Sequence, residues 1–197
     1  MFVQSIRQSM GTARARLSRR MSLSVRVAAA ILGTSAGVLA LTGGPAQASL
    51  WQLQDGFDYQ PASTWSIDHA GSSGGGFDLN AGTARTAPND AYLWAQTQFA
   101  GVGRSVTLRN NSTRTSCAAG VYLQGFDGAK VNVEVINPSD WTYVSLHSVT
   151  ISGSGYRQYT VGPWTGGPNT VYVRVSLLGT GAYNLIRVDD LTVQCSY

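Results

Sequence analysis

The chain has 197 residues, of which 43% are hydrophobic and only 12% charged, with two cysteines and a formal net charge of +4. That positive charge sits at the start. Of 14 basic and 10 acidic residues, six arginines (Arg7, Arg14, Arg16, Arg19, Arg20 and Arg26) precede residue 49 and no acid does, which leaves eight basic against ten acidic beyond it. The usual route from basicity to nucleic acid is therefore closed, and no nucleic-acid partner is expected.

Residues 1–48 read as a secretion signal peptide. The arginines supply a basic start, Val27 to Leu41 an Ala-rich apolar segment, and Ala46-Gln47-Ala48 a small-residue cleavage pattern. Ser18-Arg19-Arg20-Met21-Ser22-Leu23 partly matches a twin-arginine export signal, with Ser22 where that motif has Phe. A retained anchor needs about 20 apolar residues, and Gly33, Thr34, Ser35, Gly37, Thr42, Gly43 and Gly44 interrupt this segment. The expectation is a secreted, extracellular protein with no stable membrane insertion, whose mature domain spans 49–197 and acts as a monomer.

In chain order, the mature part reads as strands throughout: Leu50 to Phe57, Thr64 to His69, Ala91 to Thr97, Arg104 to Arg109, Ser116 to Gln124, Lys130 to Ile136, Thr142 to Ile151, Arg157 to Val161, Thr170 to Leu178 and Asn184 to Cys195. Turn signals recur every eight to twelve residues, the rhythm of a two-sheet antiparallel β-sandwich. Gly71-Ser72-Ser73-Gly74-Gly75-Gly76 reads as a flexible loop. Gly125-Phe126-Asp127-Gly128 and Asn137-Pro138-Ser139-Asp140 read as tight connections. Cys117 and Cys195 are the only cysteines, and in an exported chain a lone pair is expected to form a disulfide.

Because side chains alternate across a strand, the positions of Val and Leu set the inward face. Val121, Leu123, Val131, Val133, Val135, Val144, Leu146, Val171, Val173, Val175 and Leu177 are predicted to point into the core. A slip of the apolar phase between Leu146 and Val149 places a bulge near His147 or Ser148. The opposite phase carries Tyr122, Gln124, Asn132, Glu134, Tyr143, Tyr172 and Arg174, with Trp141 and His147 beside it. Planar aromatics interleaved with amide, carboxylate and guanidinium groups suit a carbohydrate. The CH faces of a pyranose stack on rings, and its hydroxyls take bidentate polar partners. If the four strands are neighbours, these nine residues form one binding face for a polysaccharide or cell-wall glycan. The alternative is a half-buried sheet surface in which Glu134 and Arg174 make an ordinary cross-strand pair.

The opening Asp55-Gly56-Phe57-Asp58, followed by Trp65, and the closing Val188-Asp189-Asp190-Leu191-Thr192-Val193 resemble the ends of carbohydrate-binding modules with a galactose-binding-like fold. The resemblance implies a jelly-roll sandwich, lectin-like and non-catalytic, often with a structural calcium ion (Ca2+) between first and last strands. Carried over by position, Asp189 would be the ligand from the last strand, with Asp58 or Asp55 from the first. Calcium takes six to eight oxygens, which two carboxylates and backbone carbonyls can supply.

Two other functions compete. A secreted protein-binding, inhibitor or structural sandwich would use the same aromatic face or the surroundings of Trp94 and Trp164, since interfaces also favour Tyr, Trp and Arg. For a hydrolase, Glu134, the only glutamate, would have to pair with an aspartate, and for a polysaccharide lyase Tyr143 and His147, on one strand, would be the pair on offer. Gly71-Ser72-Ser73-Gly74-Gly75 matches the nucleophile-elbow pattern, which requires a strand before it and a helix after it.

Overall fold

A computed structural model describes residues 49–109, 114 and 116–197; the signal peptide predicted over 1–48 lies outside the described residues. The chain forms β1 (Leu50–Asp55), α1 (Pro61–Thr64), β2 (Ser66–Ala70), β3 (Ser73–Leu79), β4 (Asn89–Ala95), β5 (Phe99–Thr107), β6 (Ser116–Gly125), β7 (Lys130–Ile136), β8 (Tyr143–Thr150), β9 (Arg157–Trp164), β10 (Thr170–Leu178) and β11 (Asn184–Ser196). The strands make two antiparallel sheets. The first runs β3-β4-β11-β6-β9, and the long β11 takes β4 along Asn184–Val188 and β1 along Leu191–Ser196. The second runs β2-β5-β10-β7-β8. Among the described residues, no helix is long and apolar enough to cross a membrane.

Alternation explains most of this. In the second sheet Val173 lies opposite Val135, Val175 opposite Val133 and Leu177 opposite Val131, all buried. Each such β-branched or Leu side chain contributes roughly 1.5–3 kcal/mol through burial. In the first sheet Val121, Leu123, Ile186, Val188, Leu191 and Val193 meet them across the core. Trp65 is buried and stacks on Phe57 at 4.3 Å between centroids, and Trp51 packs against the core from β1. The ring of Trp164 is buried at the end of β9. Cys117 and Cys195, opposite one another on β6 and β11, form the expected disulfide inside the sandwich.

Two expectations are corrected. The predicted flexible loop at Gly71–Gly76 is largely strand: β3 begins at Ser73 and pairs with β4 along its length. Its glycines serve the neighbouring strand. A Cβ on Gly74 would lie 2.9 Å from Trp94 Nε1, and one on Gly76 2.8 Å from the Tyr92 hydroxyl, so these rings cross β3 only because it has no side chains there. Gly75 faces inward, where a Cβ would lie 2.6 Å from the Tyr92 carbonyl oxygen and 2.7 Å from Leu93 Cδ2. The Gly75→Ala variant is therefore expected to lose about 1–3 kcal/mol from overpacking against backbone that cannot withdraw, measured by urea unfolding.

The second correction concerns β8. Its register against β7 is unbroken from Thr150 to Ser145, and the bulge falls next to Val144, since Val135 faces Ser145 while Ile136 faces Tyr143. Ser145, His147 and Val149 therefore share the inward phase of Val135, Val133 and Val131, and Leu146 turns outward, 45% exposed. Val144 is only partly buried. The turn before β8 follows from its side chains. Asn137 Oδ1 accepts from the Ser139 N–H and hydroxyl, and Asp140 Oδ1 accepts from those of Thr142, which holds the Asp140 carboxyl below its ordinary pKa.

Candidate functional site

The outer face of the second sheet is ordered in cross-strand rows. One row reads Ser66, Gly103, Arg174, Glu134, Leu146; the next reads Asp68, Gly101, Ser176, Asn132, Ser148. Because β5 contributes glycine to both rows, a trough opens over it. A Cβ on Gly103 would lie 2.7 Å from the Tyr172 ring, and one on Gly101 2.5 Å from Asp68 Oδ1. Side chains of β2 and β10 lean into that space.

Arg174 is the centre of the floor. Its Nε donates to Glu134 Oε2 at 2.5 Å and its Nη1 to Asp68 Oδ2 at 3.0 Å, with the guanidinium 5.7 Å from the Phe99 ring centroid. Burial works against the Arg174 charge, but the hydrogen bond and charge of Glu134 outweigh it, so the guanidinium is held more firmly protonated than usual. Glu134 is 2% exposed. Two polar atoms in the second row, Asp68 Oδ1 and Ser176 Oγ, are buried with no hydrogen-bond partner among the described residues. Ser148 Oγ donates to Asn132 Oδ1 at 2.8 Å in the same row.

Rings stand at the end of the trough. The Tyr172 hydroxyl is 2.6 Å from Ser66 Oγ, and burial raises its pKa. Trp141 packs edge-on against it, centroids 5.5 Å apart, and remains 60% exposed; Tyr143 is 54% exposed. Trp141 has φ of 58°, a left-handed conformation that a bulky residue adopts at a cost of about 1–3 kcal/mol. Between Tyr143 and Phe99 lies an open cavity of about 400 Å³, lined also by Gln98, Asn132, Glu134 and Arg174.

Of the nine residues expected on one face, Asn132, Glu134, Trp141, Tyr143, Tyr172 and Arg174 come together here. Three do not. Tyr122 and Gln124 are on β6, in the other sheet, because β6 pairs with β11 and β9. Arg85 lies over the Tyr122 ring at 3.7 Å, and Gln124 Nε2 donates to the Ser154 carbonyl. His147 belongs to the inward phase, with Nδ1 2.6 Å from the Thr160 carbonyl on β9. That separates it from Tyr143 and dissolves the lyase pair. The nucleophile-elbow match also lacks its context, since no helix follows Ser73 and its hydroxyl lies 2.7 Å from the Ala70 and Phe99 carbonyl oxygens. Asp68 and Phe99 also line this face and were not expected there, whereas Ser176 shares the outward phase of Tyr172 and Arg174 in the sequence. Ser66 and Asp68 alternate with Ile67 in the sequence, which was the available signal.

The Asp residues expected around calcium have these surroundings. Asp55 accepts from Trp65 Nε1 and forms an ion pair with Arg104. Asp58 is exposed. Asp189 is buried, with the N–H groups of Arg85 and Thr86 donating to Oδ2 at 2.8 and 3.0 Å and that of Asp190 to Oδ1 at 2.8 Å. These three donors bind the Asp189 carboxylate, and among the described residues no group of three or more His, Cys, Asp or Glu is placed to hold a metal. Burial nevertheless pushes the Asp189 pKa up to about 6, the three N–H bonds opposing it. A carboxyl with a folded pKa above its unfolded value stabilises fully below the unfolded value and loses that contribution as pH rises through the folded one. The stability advantage of the wild type over Asp189→Asn is thus expected to fall by up to about 3 kcal/mol between pH 4 and pH 7, measured by urea unfolding at both.

No protein-family model matches the sequence, and no curated protein matches it. Solved structures do match in shape. The K1 cleaved adhesin domain of Lys-gingipain from Porphyromonas gingivalis W83 superposes with a TM-score of 0.51 at 16% identity, over 73% of this chain and 97% of that one. TmCBM61, solved in complex with β-1,4-galactotriose, gives 0.49 at 15% identity over 70% and 92%. The C-terminal family 22 carbohydrate binding module of Clostridium thermocellum Xyn10B gives 0.49 at 12% identity over 72% and 90%. At these identities what is shared is the fold, a two-sheet antiparallel β-sandwich.

Proposed function

We propose that the domain is a secreted, non-catalytic, lectin-like module that binds a polysaccharide along the outer face of its second sheet. The observation that carries this reading is the juxtaposition of exposed rings with polar atoms left without partners. Trp141 and Tyr143 present apolar surface on which a pyranose can stack, and Asp68 Oδ1 and Ser176 Oγ lie two rows further along the face, without hydrogen-bond partners among the described residues. Arg174, fixed between Glu134 and Asp68, holds carboxylate oxygens where sugar hydroxyls donate to them. Both carboxylates are committed to the same arginine, which favours a binding over a catalytic role for this pair.

The strained Trp141 supplies the test. Glycine tolerates the left-handed conformation without strain, so Trp141→Gly is expected to match or exceed the wild type in thermal stability while binding to a retained polysaccharide weakens at least tenfold, measured by affinity electrophoresis. A loss of stability with binding intact would make the ring structural instead.

A further inference from the structure

We infer that the outer face of the first sheet carries a second groove for an uncharged glycan chain, so that the domain is bivalent. The inference takes its ligand class from the reading above but rests on separate residues. An open cavity of about 720 Å³ runs over β1, β11, β6 and β9. It is continued by a smaller one over Ala118, Gly120 and Thr192, so small residues make a clear floor in the middle of the sheet. Four glutamines, Gln52, Gln54, Gln158 and Gln194, line it from both sides. In the pairing, Gln52 faces Gln194, Gln54 faces Thr192, and Gly120 faces both Thr192 and Thr160.

The chemistry of this lining is specific. A primary amide offers two donors and an acceptor, and four such groups across a flat floor match the mixed donors and acceptors of successive sugar hydroxyls. None of the four amides has a hydrogen-bond partner among the described residues, in contrast to Gln124 just outside the groove, which is held by Ser154. One end is closed by Arg85, stacked over Tyr122 and paired with Asp190 at 2.5 Å. Of the acids along the cavity, Asp55 is neutralised by Arg104 and Asp190 by Arg85, which leaves Asp58 as the uncompensated charge. A negative residual charge works against polyuronates and sulfated chains, so the fit is to a neutral polysaccharide. The two grooves lie on opposite outer faces of the sandwich, so one domain can hold two chains.

The test uses the full mature domain with soluble xylan, β-1,4-galactan, mannan and mixed-linkage glucan as neutral probes and polygalacturonate as the charged one. Gln54→Ala with Gln194→Ala alters the first-sheet groove, and Trp141→Gly with Tyr143→Ala the second-sheet face. All four side chains lie on the surface or line open grooves, and thermal midpoints check that both double variants remain folded. The expected result is that the wild type cross-links a neutral polysaccharide and clouds its solution. Each double variant then still binds in affinity electrophoresis, at least tenfold more weakly, without clouding, and polygalacturonate is ignored. The inference is overturned if Gln54→Ala/Gln194→Ala clouds the solution like the wild type, or if Trp141→Gly/Tyr143→Ala alone abolishes all binding; the latter leaves the second-sheet reading standing. Binding that is lost only in the glutamine variant supports the first-sheet groove and removes the second-sheet one. A folded wild type that binds none of the neutral chains overturns both.

Discussion

Replacing Arg174 with Ala is expected to lower the stability of the domain by about 3–5 kcal/mol, the cost of leaving a buried charge without its partner. Glu134 is 2% exposed and Arg174 Nε is its ion-pair partner at 2.5 Å, while the Asp68 side chain on the far side of the arginine is 42% exposed and reaches water. Most of the loss therefore lies with Glu134. For a domain of this size it corresponds to a fall of roughly 10 °C in Tm, checked by thermal and urea unfolding at pH 7. Replacing the pair together, Glu134→Gln with Arg174→Met, is expected to restore most of the stability, because an apolar or neutral substitute removes the desolvated charges rather than orphaning one. It should not restore glycan binding, since the fixed carboxylate and guanidinium are gone. A loss below about 1 kcal/mol in Arg174→Ala would show that water already reaches Glu134.

The second large effect concerns the disulfide. Cys117 and Cys195 are 78 residues apart in sequence, and closing a loop of that length removes chain entropy worth about 4.5 kcal/mol from the unfolded state. The bond joins adjacent strands, β6 and β11, that already pair through their backbones, so it contributes little new native geometry. Its effect is expected mainly through the unfolded chain. Cys117→Ala with Cys195→Ala should therefore lose about 4 kcal/mol and retain glycan binding, because both sulfurs face the core and neither touches the second sheet's outer face. An unchanged unfolding midpoint in urea would contradict this.

The β-sandwich was legible because Val and Leu alternate so regularly in β6, β7 and β10 that the inward phase could be read directly, and the disulfide followed from there being two cysteines. β3 was not legible. Three consecutive glycines have neither β propensity nor alternation, and the reason for them, the rings of Tyr92 and Trp94, lies on another strand. The bulge in β8 left a visible slip in the apolar pattern, but its position depends on where β7 sits, and that moved His147 off the outer face. Sheet membership was the larger obstacle. Tyr122 alternates with Val121 and Leu123 just as Tyr172 does with Val171 and Val173, and only the global pairing of β6 with β11 and of β10 with β5 and β7 puts them on opposite sides. Six of the nine expected residues still converge, because β7, β8 and β10 are neighbours and each kept its outward phase for part of its length.

The most direct test of glycan binding is retention of residues 49–197 on a panel of soluble and insoluble polysaccharides while tryptophan emission is followed. The account predicts saturable binding to at least one neutral polysaccharide, reversed by free sugar, with a change in emission that Trp141→Gly removes. A folded domain retained by none of them, or retained with no contribution from Trp141, would contradict it.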